Sequence, residues 1–215
     1  MNIDQMRLGA VAVCCCLAGT VLGGVDTPPP WTGTGIVGNS SHWNWDFAAN
    51  STAPFVGVGY GPPNAQPPIV TGGTWAPGMG ADGAWVLLPG ESITIDMANF
   101  PIPNDFKLMW VQYHVFGLPG TPPLQPPLIQ VDSGGVIGQP YGTPTSTLTP
   151  DGGLIGAQGF RFPFNPAFEV FRITNNGQSP MFFEWLTIDT ICSPTPGAGA
   201  ALALGSAVLM RRRRR

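Results

Sequence analysis

Phe106-Lys107-Leu108-Met109-Trp110-Val111-Gln112-Tyr113-His114-Val115-Phe116 is the stretch that decides the fold. It contains no Gly or Pro, and it is dominated by β-branched and aromatic side chains, which suit a pleated surface better than a helix. In one unbroken strand, Met109, Val111, Tyr113 and Val115 point to one face, while Trp110, Gln112 and His114 point to the other. The first set has the character of a core. The second joins an aromatic plate to hydrogen-bonding groups.

Outward from this run the same style repeats on both sides. Ser92-Ile93-Thr94-Ile95-Asp96-Met97 alternates polar and apolar residues strictly, as a half-buried strand does. Downstream, Phe160–Phe164, Phe168–Thr174 and Met181–Ile191 are further strands, separated by Asn165-Pro166 and Asn175-Asn176-Gly177. The Asn-Gly pair tolerates positive φ and predicts a hairpin between the last two. Upstream, Pro54–Tyr60, Ile69–Trp75 and Ala84–Leu88 are expected strands, while residues 26–52 carry few strand signals. Leu118–Pro127 is so rich in Pro that it is expected to be a surface loop or a polyproline stretch. No amphipathic helix stands out between Val25 and Cys192. About eight strands without helices predict an all-β fold, an antiparallel β-sandwich of jelly-roll type.

The chain has 215 residues, with 30 Gly and 25 Pro, yet 43% are apolar and only 10% charged. That balance describes a turn-rich folded domain rather than a disordered one. Between Val25 and Cys192 the basic residues are Lys107, Arg161 and Arg172, against eleven acids, a net charge near −8. A domain of that sign lacks the basic footprint that nucleic-acid binding needs, so nucleic acid is excluded as a partner. Three of the four cysteines, Cys14, Cys15 and Cys16, sit in an apolar N-terminal run, which leaves Cys192 alone in the domain. An intramolecular disulfide and a cysteine-built zinc site are thereby excluded once that run is removed.

Both ends carry targeting patterns. Arg7 closes a short polar start, Leu8–Leu22 is uncharged and apolar, and Val21-Leu22-Gly23-Gly24 offers small residues for cleavage. Residues 1–24 are therefore expected to be a helical signal peptide removed by signal peptidase, followed by a loop-rich segment over 25–53 and the sandwich over 54–192. At the other end Pro194-Thr195-Pro196-Gly197 precedes an apolar stretch to Met210, and Arg211, Arg212, Arg213, Arg214 and Arg215 finish the chain. A helix from Gly197 to Met210 would be about 21 Å long, short of a hydrocarbon core of roughly 30 Å and so suited to transient anchoring in the inner membrane. The arginines stay on the cytoplasmic side and leave the domain outside.

The segment 193–215 resembles the PEP-CTERM family of bacterial sorting signals, built from a Pro-Glu-Pro motif, an apolar helix and a terminal Arg cluster. Pro194-Thr195-Pro196 stands where that motif would be, with Thr195 in place of the glutamate. The resemblance implies processing by an exosortase-like membrane protease and delivery to the cell envelope surface or the extracellular space. It implies nothing about the central domain.

Within that domain no catalytic set is visible. His42 and His114 are 72 residues apart, and Gly-x-Ser-x-Gly and a phosphate-cradling Gly-rich loop are absent. Trp185, Thr187 and Asp189 share a face opposite Leu186 and Ile188. If this strand lies beside Phe106–Phe116, then Trp110, Gln112, His114, Trp185 and Asp189 form one polar–aromatic, ligand-binding surface suited to sugars. The segment His42-Trp43-Asn44-Trp45-Asp46 reads as a strand edge tucking two indoles into the core. No cofactor is expected, with Ca²⁺ at Asp82-Gly83, Asp132-Ser133-Gly134-Gly135 or Asp151-Gly152-Gly153 as the candidate exception. The expected function is that of a non-enzymatic, exported cell-surface or extracellular-matrix protein binding exopolysaccharide. The alternative is a small secreted carbohydrate-active hydrolase using a carboxylate pair.

Overall fold

The computed structural model describes residues 28–193 other than 33, 35, 37, 38, 49, 55, 59–66, 81 and 100–105. The signal peptide expected over 1–24 and the sorting segment from Pro194 onward, with both their helices, lie outside the described residues. No helix occurs among those described, so none there is long and apolar enough to cross a membrane.

The chain is all-β. Its strands are β1 (Asn39–Asp46), β2 (Val56–Val58), β3 (Val70–Thr71), β4 (Thr74–Pro77), β5 (Gly83–Leu87), β6 (Ser92–Ala98), β7 (Phe106–Phe116), β8 (Leu128–Ser133), β9 (Val136–Ile137), β10 (Gln139–Leu148), β11 (Leu154–Phe162), β12 (Phe168–Thr174) and β13 (Met181–Ser193). They form two antiparallel sheets. The large sheet runs β10-β11-β7-β13-β1-β2, with β5 also on β13 and β4 on β5, and the small sheet runs β3-β6-β12-β8-β9. The chain passes repeatedly from one sheet to the other, as a sandwich requires.

The core lies between the sheets. Met109, Val111, Tyr113 and Val115 of β7, with Leu186 and Ile188 of β13, belong to one buried cluster with Ile93 and Ile95 of β6 and Phe171 and Ile173 of β12. Fully burying each large apolar side chain contributes about 1.5–3 kcal/mol. Strand β7 is buried at nine consecutive positions, Lys107 to Val115, because its other face is covered as well. There Leu108 and Trp110 join Trp31, Ala157 and Ile191 in a second small apolar cluster, against which Ile36, Phe106 and Tyr141 pack. The segment ahead of β1 thus lies over the outer face of the large sheet.

Several strand expectations need correction. The segment read as loop-rich contributes β1, hydrogen-bonded between β13 and β2. The sandwich therefore begins upstream of residue 54. The expected strand Ile69–Trp75 splits at Gly72-Gly73, both at positive φ, and the chain there leaves the small sheet for the large one. The Asn-Gly signal at Asn176-Gly177 does not make a hairpin, because β12 lies in the small sheet and β13 in the large one. Asn175 instead anchors a crossing between the sheets. It is fully buried, its amide nitrogen donates to Leu87 O (2.9 Å) and Ser179 O (2.8 Å), and its backbone pairs with Gly90 and Glu91.

Strand β10 went unnoticed in the sequence because Pro140, Gly142 and Pro144 interrupt it. It is an edge strand, exposed at nearly every position, with a register irregularity between Tyr141 and Thr145. Prolines are tolerated at an edge, where N–H groups need no ladder partner.

Candidate functional site

The outer face of the large sheet brings the expected ligand residues together. Strands β7 and β13 are neighbours, with Trp110 opposite Asp189, Gln112 opposite Thr187 and His114 opposite Trp185. The next strand places His42 opposite Asp189, Asn44 opposite Thr187 and Asp46 opposite Trp185. Three rows of polar and aromatic side chains therefore cross three adjacent strands.

The rows differ in access. Trp110 is buried under Trp31 and its companions, and Gln112 and Thr187 are buried as well. Trp31, ahead of β1, contributes the indole that packs with Trp110. The accessible part begins at the opposite end of the face, where Trp185 is half-buried and Asp46 exposed.

That end is shaped by a β-bulge. The pairing of β13 with β7 shifts between Phe183 and Trp185, so Glu184 is the extra residue. The bulge falls where β13 changes its other neighbour, from β5 at Met181–Phe183 to β1 at Trp185 onward. An extra residue re-aims its neighbours, and here the Glu184 carboxylate reaches the ring of His114, with Oε2 2.7 Å from Nδ1. Trp185 lies against the same imidazole, the ring centroids 6.3 Å apart and tilted at 37°. The His114 Nε2 is buried without a hydrogen-bond partner. A Cβ on Gly153 would lie 2.7 Å from that nitrogen, so only glycine lets the β10–β11 turn come this close.

Asp151 sits in that turn. The Thr149 hydroxyl holds its carboxyl below the usual carboxylate range, helped by backbone N–H groups and the nearby His114. Beside it, a cavity of about 230 Å³ opens between Asp151-Gly152 and the loop running from Gly117 to Leu124. One corner of the sandwich thus collects an indole, an imidazole, three carboxylates (Asp46, Asp151 and Glu184) and a cleft.

A second histidine pair lies on the same face. His42 Nδ1 is 2.7 Å from Asp189 Oδ1, with the imidazole about one-third exposed. Strand parity alone places Asp189 on this face but not its histidine. The signal that would have found it is the strict alternation of His42-Trp43-Asn44-Trp45-Asp46, which is a strand pattern. Nothing in the sequence marks Glu184 as the partner of His114, because a bulge changes side-chain direction without a residue signature.

Among the described residues no group of three or more His, Cys, Asp or Glu could hold a metal ion, including the turns at Asp82, Asp132 and Asp151. No family model and no curated protein sequence matches the chain. Among solved structures, the catalytic domain of a GH87 alpha-1,3-glucanase in complex with nigerose is similar over 76% of this chain, at 11% identity and a TM-score of 0.29. The chain spans about 30% of that structure's length.

Proposed function

We propose that this is an exported bacterial cell-surface or extracellular-matrix protein whose sandwich, jelly-roll-like in its winding, binds envelope polysaccharide without cleaving it. The observation that carries the reading is the corner where Trp185, His114 and Glu184 meet beside the cleft at Asp151. A half-buried indole offers a flat apolar plate to a sugar ring, and the carboxylates around it accept hydrogen bonds from sugar hydroxyls. The side chains stand on hydrogen-bonded strands, so little freedom is lost when a ligand docks. The acidic domain favours neutral, hydroxyl-rich glycans over acidic ones. The terminal patterns supply export, transient inner-membrane anchoring and exosortase-like processing.

A second reading, a small carbohydrate-active hydrolase, draws on one observation. Glu184 contacts the His114 imidazole and Asp151 lies near it, so two carboxylates stand at one ring beside the cleft, the kind of pair that glycoside hydrolysis uses.

Affinity electrophoresis of the full chain through gels containing neutral or acidic polysaccharides tests the first reading. Retardation by a neutral glycan, lost in Trp185→Ala, is the expected result. Equal mobility in every gel overturns binding. Release of reducing ends, abolished by Glu184→Gln, replaces the module with the hydrolase.

A further inference from the structure

A second polar centre lies between the sheets, far from anything a soluble ligand could reach. Lys107 at the start of β7 and Glu169 at the start of β12 are 1% and 0% exposed, and their Nζ and Oε1 are 2.7 Å apart. Asn99, at the end of β6, is also buried. Lys107 Nζ donates to Asn99 Oδ1 at 2.6 Å, and Asn99 Nδ2 donates to the same Glu169 oxygen that Lys107 contacts. The Asn99 amide is held in place by Pro166 O at 2.7 Å and Asn165 Oδ1 at 3.2 Å. Glu169 Oε2 is buried without a hydrogen-bond partner.

A structural ion pair would explain the lysine and the glutamate. It does not explain why an amide carbonyl is pressed onto the amine while that amide's nitrogen is pressed onto the carboxyl. From this arrangement we infer that Lys107 and Asn99 join in an intramolecular isopeptide bond, with Glu169 shuttling the protons.

The chemistry balances without an outside reagent. A proton passes from the Lys107 ammonium to the Glu169 carboxylate along their contact, leaving a neutral amine and a neutral acid. Burial favours that neutral pair over two charges, and the same burial pushes the Glu169 carboxyl up. The Nζ lone pair attacks Asn99 Cγ, and the carbonyl electrons move to Oδ1, which Lys107 already contacts. Glu169 protonates Nδ2, then takes a proton from the attached Nζ. The Cγ–Nδ2 bond breaks as the carbonyl re-forms, and ammonia leaves, carrying off the proton held by Glu169. One lysine ammonium and one primary amide become one secondary amide and one ammonium ion. Holding the reacting groups in contact supplies the effective concentration that makes amide exchange accessible, and Glu169 acts as general base and then general acid.

The link would tie the end of a small-sheet strand to the start of a large-sheet strand. It would also replace a buried ammonium by a neutral group, removing its desolvation cost. The described part of the chain has no disulfide, its one cysteine being the buried, unpaired Cys192. Its sheets would be joined covalently all the same.

Mass spectrometry of the full-length protein after digestion tests the bond. Cleavage at glutamate leaves Asn99 and Lys107 in one fragment, Ser92–Glu169. The expected fragment is lighter than its sequence by one ammonia, resists trypsin at Lys107, and gives no backbone ions between the linked residues. In Glu169→Gln, whose fragment runs on from Ser92 to Glu184, the full sequence mass and the tryptic cut at Lys107 return. A wild-type fragment of full mass overturns the proposal. So does an ammonia loss that hydroxylamine converts to a hydroxamate while trypsin still cuts at Lys107, since that is a succinimide at Asn99. Retention of the link in Glu169→Gln overturns the proton-shuttling role.

Discussion

The imidazole of His114 and the carboxylate of Glu184 meet at 2.7 Å across two neighbouring strands, at the one place where β13 carries an extra residue opposite β7. Deleting the bulge residue, Glu184, would restore regular alternation along β13 and take the carboxylate away from the ring. Deletion of Glu184 is expected to abolish polysaccharide retention, read as loss of retardation in affinity gels.

Trp185 and Trp110 lie on the same face but should respond differently to truncation. Trp185→Ala is expected to weaken glycan binding about tenfold, equivalent to about 1.4 kcal/mol, with little change in stability. Trp110→Ala removes a ring buried with Trp31 and Leu108 and is expected to cost about 3–5 kcal/mol. Thermal unfolding combined with a binding isotherm separates the two effects.

Gly156 on β11 faces the ring of Tyr113, and a Cβ there would lie 2.2 Å from the phenol oxygen. Neither the ring nor the backbone can yield without disturbing the core. Gly156→Ala is expected to destabilise the fold by about 1–3 kcal/mol, seen as a lower midpoint in urea.

Burial pushes the Tyr113 hydroxyl up to about 12. The folded state therefore holds this proton more tightly than the unfolded state, whose tyrosines titrate near 10. The resulting stability is complete below about pH 10 and is lost as pH rises through about 12. Tyr113→Phe removes the ionisable group, so its stability should fall less than the wild type's over that window. Chemical denaturation repeated from neutral to alkaline pH measures the difference.

Asn175→Ala removes both donors that hold Leu87 O and Ser179 O. Two buried carbonyls then lose a partner at the crossing between sheets, at a cost of about 2–3 kcal/mol. Hydrogen exchange should show new opening at Ser92 and Met181, on either side of the crossing.

The fold was legible where side-chain pattern and burial agree. Ser92–Met97 alternates because one face meets the core, and β7 reads as a continuous run because both its faces are covered. The pattern failed where a residue type serves a different purpose from its usual one. Asn176-Gly177 has hairpin chemistry, yet Asn175 spends its hydrogen bonds on β5 and on its own loop, which sends the chain to the other sheet. Pro140 and Pro144 obscure β10 because an edge strand tolerates what a central strand does not. The candidate face was half legible. Strand parity placed Trp110, Gln112 and His114 together, but parity says nothing about a separate segment lying over Trp110. Lys107 and Glu169 gave no signal at all, since two charges 62 residues apart show their relationship only after the sheets have stacked.

Asn39 is paired with Cys192, and Phe106 with Ser193, so β1 and β7 begin where β13 ends, at one pole of the large sheet. Trp185 stands eight residues back along β13, roughly 26 Å from that pole at about 3.3 Å per residue. Were the chain anchored beyond Ser193, as proposed, the pull would enter at that pole, and the aromatic corner would stand at the other end of β13, like the head of a pin.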